Sequence, residues 1–298
     1  DNLEELLEDG VLKEDIRRHY VAPNEKDLQR EDRVLHLLKQ RFDEWQQKGF
    51  IPSKKIAEGN ETTRLFRERG WTHWHHLFNP RQLLTLGLFL KEISIESQII
   101  KTALLLYAAK ISERYSRIMS WDPSRDNASH VFTNQALNTY YTIGCRSFDS
   151  IKSIPFLNNS NEITIECNVN PSDARVVNYT SDLWITDPPY ADAVNYHELG
   201  DYFLSWYEAD IPKLFPEWYN DSRSALAVKG DGESFKQSMV ECYKNFTNQM
   251  SDNGAQVVMF THQDSSVWAD LALILWASGL QVTAAWTIQT ETDSAGIK

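Results

Sequence analysis

The residues best suited to chemistry stand together in Thr186-Asp187-Pro188-Pro189-Tyr190, immediately after the short apolar run 182–186. Two consecutive prolines have no N–H to give a sheet ladder, so they end a strand in a stiff turn. An acid then precedes that turn and an aromatic follows it. In open α/β sheets, ligands bind beyond the carboxyl ends of strands. An exocyclic amine of adenine or cytosine is a poor nucleophile, because its lone pair is delocalised into the ring. Two acceptors, the Asp187 carboxylate and the Pro188 carbonyl, can draw such an amine towards tetrahedral geometry, with Tyr190 stacking on the base. A base inside a duplex must first leave the stack to be reached. The competing reading is a surface Asp-Pro-Pro turn with no role.

The elements that must hold this turn in place follow from periodicity. Residues 26–47 carry Val34, Leu37, Leu38, Phe42 and Trp45 near helical spacing, and Gly49 suits the C-terminal cap. Residues 51–60 read as a loop. Asn79-Pro80 reads as a helix start, and a further helix is expected over about 95–118. A last helix is expected over 131–141. The pattern then changes. Residues 163–167 and 182–186 read as strands, 233–250 as a helix, Asn253-Gly254 as a turn, and 255–261 as a buried strand. Residues 264–278 read as a helix capped by Gly279, and 280–288 as a strand. Strands alternating with helices imply a mostly parallel sheet with helices on its faces. The expected organisation is therefore a mostly helical region, 1–150, followed by an α/β core segment, 151–298.

Bulk properties constrain partners. The chain has 298 residues, 42% hydrophobic and 24% charged, ordinary for a globular protein. Its formal net charge of −12 counts against a dedicated nucleic-acid binder, which is usually basic. A local basic face on an acidic body remains compatible with it. The best such group is Arg64, Arg67, Arg69 and Arg81, near Phe66, Trp71 and Trp74; the bland alternative is ordinary helix-surface charge. Cys145, Cys167 and Cys242 form no metal-ligand pattern and suit reduced thiols in a cytoplasmic protein. No apolar run of about 18 residues is present. His73-Trp74-His75-His76 lacks Cys or carboxylate at zinc-ligand spacing and reads as packed or surface aromatics. His262 and Asp264 are candidates for the cleft, with a helix cap the equal alternative for Asp264. His197-Glu198 can contact substrate, though an exposed helix face suits it better.

Asp187-Pro188-Pro189-Tyr190 resembles the catalytic motif of amino-methyltransferases that act on nucleic-acid bases. Residues 70–84 (GWTHWHHLFNPRQLL) and 121–137 (WDPSRDNASHVFTNQAL) are similar to segments of large bacterial and archaeal adenine-specific DNA methylases, some found beside phage-defence genes. So are 195–206 (NYHELGDYFLSW), Phe260-Thr261-His262 and 286–291, so the resemblance runs over about 51–291. It implies a Rossmann-like, S-adenosylmethionine-dependent methyltransferase sheet. It implies catalytic roles for Asp187, Pro188, Pro189 and Tyr190, and a DNA substrate, of the kind met in restriction-modification. It also sets Asp173-Ala174 against the adenine ring of S-adenosylmethionine, a role for which a solvated turn is the alternative. The family's glycine-rich cofactor turn has no counterpart here, and the first residue is Asp1. Both features predict a downstream piece of a longer enzyme. Its sheet would be incomplete, with an edge that favours pairing with the upstream portion, a partner chain or a second copy. The rival expectations are methylation of an RNA base amine and a non-catalytic interaction module of a defence complex.

Overall fold

The computed structural model describes residues 22–120, 131, 166–189, 196–218, 228, 232–262 and 264–288, together with the backbone of three two-residue strand pairs. These pairs, all antiparallel, are β1 (Leu7–Glu8) with β2 (Val11–Leu12), β3 (Trp121–Asp122) with β4 (Asn127–Ala128), and β5 (Phe132–Thr133) with β6 (Ala136–Leu137). The last pair replaces the helix expected over 131–141. Val131, Phe132 and Thr133 are β-branched or aromatic and favour extended backbone.

α1 (Glu25–Gln47) opens with a capping box: Asn24 Oδ1 accepts from the amides of Lys26 and Asp27, and Asp27 reaches back to the Asn24 amide. It stops at Lys48, and Gly49 takes a φ of 77°. α2 (Thr63–Arg69) ends at the left-handed Gly70, and a 3₁₀ turn follows at Trp74–Leu77. α3 (Pro80–Ile93) has Asn79 as its cap and Gln82 closing the box, with Pro at its first turn as the sequence predicts. α4 (Gln98–Arg114) is shorter at both ends than the expected 95–118 helix, because Ser97 sits as an extended cap and Tyr115 leaves helical backbone.

Later in the chain come β7 (Ser181–Thr186), α5 (Tyr196–Tyr207), α6 (Ile211–Leu214), α7 (Gly232–Asn248), β8 (Met250–Val258) and α8 (Ser265–Ala277). β7 and β8 pair in parallel, from Leu183↔Ala255 to Thr186↔Val258. Helix and parallel strand are thus mixed, an α/β arrangement with a two-stranded sheet among the described residues. The expected turn at Asn253-Gly254 is an irregularity inside β8. Register jumps between Ser181↔Met250 and Leu183↔Ala255, and a Cβ on Gly254 would lie 2.9 Å from the carbonyls of Asp182 and Ser251. Residues 280–288, expected as a strand, join no ladder and are mostly exposed. Apolar alternation alone makes no strand where no partner edge is offered. The expected strand at 163–167 lies outside the described residues but for Glu166 and Cys167, which are not in a strand. Among the described residues, no helix is long and apolar enough to cross a membrane.

Among the described residues, two hydrophobic cores result. The larger joins Trp45, Trp74, Phe78, Leu86, Ile111 and Met119 of the N-terminal helices to Leu199, Tyr202 and Trp206 of α5. The smaller packs Trp184 of β7 against Phe235, Met239, Tyr243 and Phe246 of α7 and Leu271, Ile274 and Leu275 of α8. Packing therefore crosses residue 150: α5, from the second half, completes the core of the first. It docks through polar groups as well. The Glu198 side chain is almost fully enclosed and accepts from the amides of Asn60 (2.8 Å), Glu61 (3.0 Å) and Thr62 (2.9 Å) and from the Thr62 hydroxyl (3.0 Å). One turn later, the buried Asp201 carboxylate pairs with Lys54 Nζ at 2.9 Å. Tyr202 and Tyr207 donate to the carbonyls of Ser112 and Leu105 on α4. The exposed-face expectation for Glu198 is thereby replaced, since apolar neighbours on α5 turn this acid inward.

Two stability predictions follow from this packing. Burial alone would raise the Glu198 carboxyl, but the bonds from Thr62, Glu61 and Asn60 together hold it below its ordinary value of 4.5. A lowered folded-state value means the unfolded chain binds the proton more readily. Its contribution is whole above pH 4.5 and is lost as pH falls below that. Chemical denaturation should show this acid loss in the parent protein and a flatter profile in Glu198→Gln. Glu198→Ala, which leaves the buried Thr62 amide without its acceptor at a cost of roughly 1–3 kcal/mol, should lower stability at neutral pH. At Gly87 of α3, a Cβ would meet the Trp45 ring at 2.5 Å. Gly87→Ala gains about 1 kcal/mol of helix propensity but overpacks this contact at about 1–3 kcal/mol. Its denaturation midpoint should fall.

Candidate active site

β7 delivers Asp187 to the sheet's carboxyl rim by a mechanism visible in its side chains. Trp184 points inward and stacks on Phe246 of α7 at 4.6 Å and on Tyr179 at 5.4 Å. The alternation of a strand then carries Thr186 to the same face, where its hydroxyl lies 3.1 Å from the Tyr243 hydroxyl. The Thr186 carbonyl accepts from the Met259 amide at 2.8 Å, the last bond before the strands part. Burial raises the Tyr243 phenol above its usual value, the Thr186 bond opposes, and the nearby Asp187 charge adds to the rise. Tyr243 is thus a neutral hydroxyl at neutral pH, fixed beneath the turn.

Beyond this anchor, Asp187, Pro188 and Pro189 line a cavity of about 250 Å³ together with Tyr196. Asp187 is exposed, Pro188 is buried and Pro189 is half-buried. Tyr196 is 57% exposed and opens α5, so its ring is set by the helix that Glu198 and Asp201 anchor. The site is therefore assembled from both cores: its acid and prolines from the sheet, its described aromatic from α5. Tyr190 lies outside the described residues. Tyr196 was within reach of sequence reasoning, as an aromatic six residues beyond the motif at a helix start, but received no role there.

The other expected site residues stand apart from this cavity. Asp173 is gripped by Arg175: its Oδ1 accepts from Nε at 2.9 Å and its Oδ2 from Nη2 at 2.8 Å, a fork that lowers its carboxyl below the usual range. The Ala174 carbonyl accepts from Asn245 Nδ2 at 3.1 Å, tying this turn to α7. Neither residue lines the cavity. Arg64, Arg67 and Arg69 lie on α2 and Arg81 on α3. Arg64 pairs with Glu61 at 3.2 Å and Arg81 with Glu31 at 2.7 Å, while Arg67 is exposed and Arg69 half-buried. Arg64 and Arg81 are thus engaged by acids of the protein itself. Asp264 caps α8, its carboxylate accepting from the Ser266 amide at 2.8 Å, and His262 Nδ1 accepts from the Asp264 amide. Of the two readings for Asp264, the cap is the one seen.

The histidine run packs edge to face, His75 and His76 with ring centroids 4.5 Å apart. His75 Nδ1 lies 2.9 Å from the Pro52 carbonyl, and burial depresses its imidazole to about 4. Among the described residues, no group of three or more His, Cys, Asp or Glu is placed to hold a metal ion. Of the three cysteines, Cys242 is buried in the smaller core, which raises its thiol to about 11, and Cys167 is exposed. Comparison of the chain with protein-family models, with curated proteins and with solved structures finds no match.

Proposed function

We propose that this chain carries the base-binding end of an S-adenosylmethionine-dependent amino-methyltransferase that acts on an exocyclic base amine in DNA, adenine first. One observation carries the reading: an acid and two prolines leave a parallel strand at its carboxyl end and line a cavity with an aromatic ring. The Asp187 carboxylate and the Pro188 carbonyl are acceptors only, as an amine that must keep its lone pair available requires. Tyr196, with Tyr190 as the motif implies, offers a ring for the extruded base. The Thr186–Tyr243 bond and the Met259–Thr186 rung hold the strand end still, so catalysis here is positioning.

The cavity's acceptors fit the amine. The methyl donor, when bound, supplies an electrophilic methyl group. Asp173 and Ala174, the pair implied for its adenine ring, stand away from the cavity and are engaged by Arg175 and Asn245, so no step is routed through them. A second reading, the interaction module, is favoured by a different feature. Leu183 and Ile185 on β7, Val257 on β8 and Met259 just beyond it are 50%, 62%, 40% and 51% exposed, an apolar sheet face suited to contact with protein.

Transfer of labelled methyl from S-adenosylmethionine to DNA by the full-length protein should fall about 10²–10³-fold in Asp187→Ala, the scale for losing one preorganised electrostatic group. Equal incorporation by both proteins would remove Asp187 from the mechanism, and incorporation into RNA alone would move the substrate to RNA. Tyr196→Ala should weaken substrate binding by about 1–3 kcal/mol, the worth of one stacked base, and so raise KM more than it lowers kcat. Failure of the parent protein to bind S-adenosylmethionine in calorimetry would favour the module reading.

A further inference from the structure

A second cavity, of about 330 Å³, lies in the helical half between the end of α2, the 3₁₀ turn and the start of α3. Its walls include Gly70, Trp71, His75, His76, Phe78 and Arg117. It shares no residue with the cavity at Asp187. Its volume is at the small end of the roughly 300–1,000 Å³ typical of ligand pockets.

The hydrogen bonds around it fix what its polar groups can offer. His76 Nδ1 accepts from the Thr72 amide at 3.1 Å, so in the neutral ring the proton sits on Nε2 and makes that atom a donor. His75 is the reverse: Nδ1 faces the Pro52 carbonyl at 2.9 Å and carries the proton, leaving Nε2 as an acceptor. Arg117 adds a guanidinium, held in place where its Nη1 reaches the His76 carbonyl at 3.4 Å and its amide donates to the Leu77 carbonyl at 2.8 Å. Trp71 and Phe78 are buried, planar and apolar, and a Cβ built at Gly70 would meet no atom within 4 Å, so the mouth is open there. Cation, donor and acceptor thus stand beside flat apolar walls. A phosphate suits the guanidinium and the imidazole N–H, and a planar heterocycle suits the walls and the imidazole acceptor.

We infer that this cavity binds one nucleotide unit, a planar heterocycle carrying a phosphate, with Arg117 and His76 on the phosphate side. The ligand is either a free mononucleotide or a nucleotide within a single strand. Phe78, one wall, stacks on Tyr202 of α5, six residues and about 9 Å of helix rise from Tyr196. One wall of this cavity therefore rests on the helix whose first residue lines the Asp187 cavity.

Thymidine 5′-monophosphate is the decisive probe, because thymine has no exocyclic amine for Asp187 and Pro188 to draw. Calorimetric titration of the full chain should give a Kd below about 1 mM. Thymidine and inorganic phosphate should each bind at least about ten-fold more weakly, since each forfeits one set of contacts. Arg117→Met should weaken binding about ten-fold or more, as should His76→Asn, which keeps an acceptor for the Thr72 amide but deletes the Nε2–H. Unchanged melting temperatures certify the fold of each variant. An oligothymidylate that binds more tightly than the mononucleotide, through the same two residues, makes a single strand the source. Equal affinity makes it the free nucleotide. No binding of either probe, affinity unchanged in both variants, or inorganic phosphate binding as tightly as the nucleotide would each overturn the inference. None of those failures bears on methyl transfer at Asp187.

Discussion

The Glu198 carboxylate ties the two halves of this protein together. It is nearly solvent-free, and an ionised carboxylate in such a place is tolerable only if its lone pairs are filled. Three consecutive amides at the start of α2 fill them, with the Thr62 hydroxyl as a fourth donor. These amides belong to the turn that leads into α2, and Thr62 is that helix's N-cap. The acid and this turn are thus fixed to each other across 136 residues of sequence. The fit leaves no room for more: a Cβ on Gly59 would lie 2.3 Å from the Glu198 carboxyl carbon. Asp201 with Lys54 repeats the device one turn along α5, at a second buried carboxylate. Removing Glu198 leaves the buried Thr62 amide without its acceptor, which makes the docking of α5 a matter of geometry as much as of area.

The consequence for the site is direct. α5 begins at Tyr196, two residues before Glu198, so the anchor that docks the helix also places the ring at the cavity. On the other side the strand end is fixed by different physics: Trp184 stacked on Phe246, Thr186 against Tyr243, and one backbone bond from Met259. Asp187 and Tyr196 are therefore positioned by independent supports, one in each core. A perturbation of the N-terminal helices moves the aromatic wall, and a perturbation of α7 moves the acid.

The sequence displayed some of this plainly. Asn79 caps α3 where side-chain chemistry says it must, and Gly49 and Gly279 take positive φ at helix ends. The strand leading into Asp187 was legible because an apolar run abuts two prolines. The inward turn of Glu198 was not, because its partners lie at residues 60–62 and no local period records them. Nor was the fate of 280–288: period-two apolarity reports a face to be buried, not whether a neighbour supplies the ladder. Tyr196 was read only as part of a longer likeness, since its role comes from the direction in which α5 is docked.

The two-stranded sheet also bears on the competing functional readings. Parallel strands ordinarily have both faces covered. Here Trp184 and Thr186 face α7, while Leu183 and Ile185 leave the opposite face apolar and half exposed. An enzyme reading and a docking reading need not compete for this surface, because the catalytic candidates lie at the strand ends, where the ladder stops, and the bare face lies along the strands. A protein element laid on Leu183, Ile185 and Val257 would desolvate the sheet that carries Asp187 without entering the cavity. Its first effect would be on the rigidity of the strand end, and so on how closely the carboxylate holds an amine.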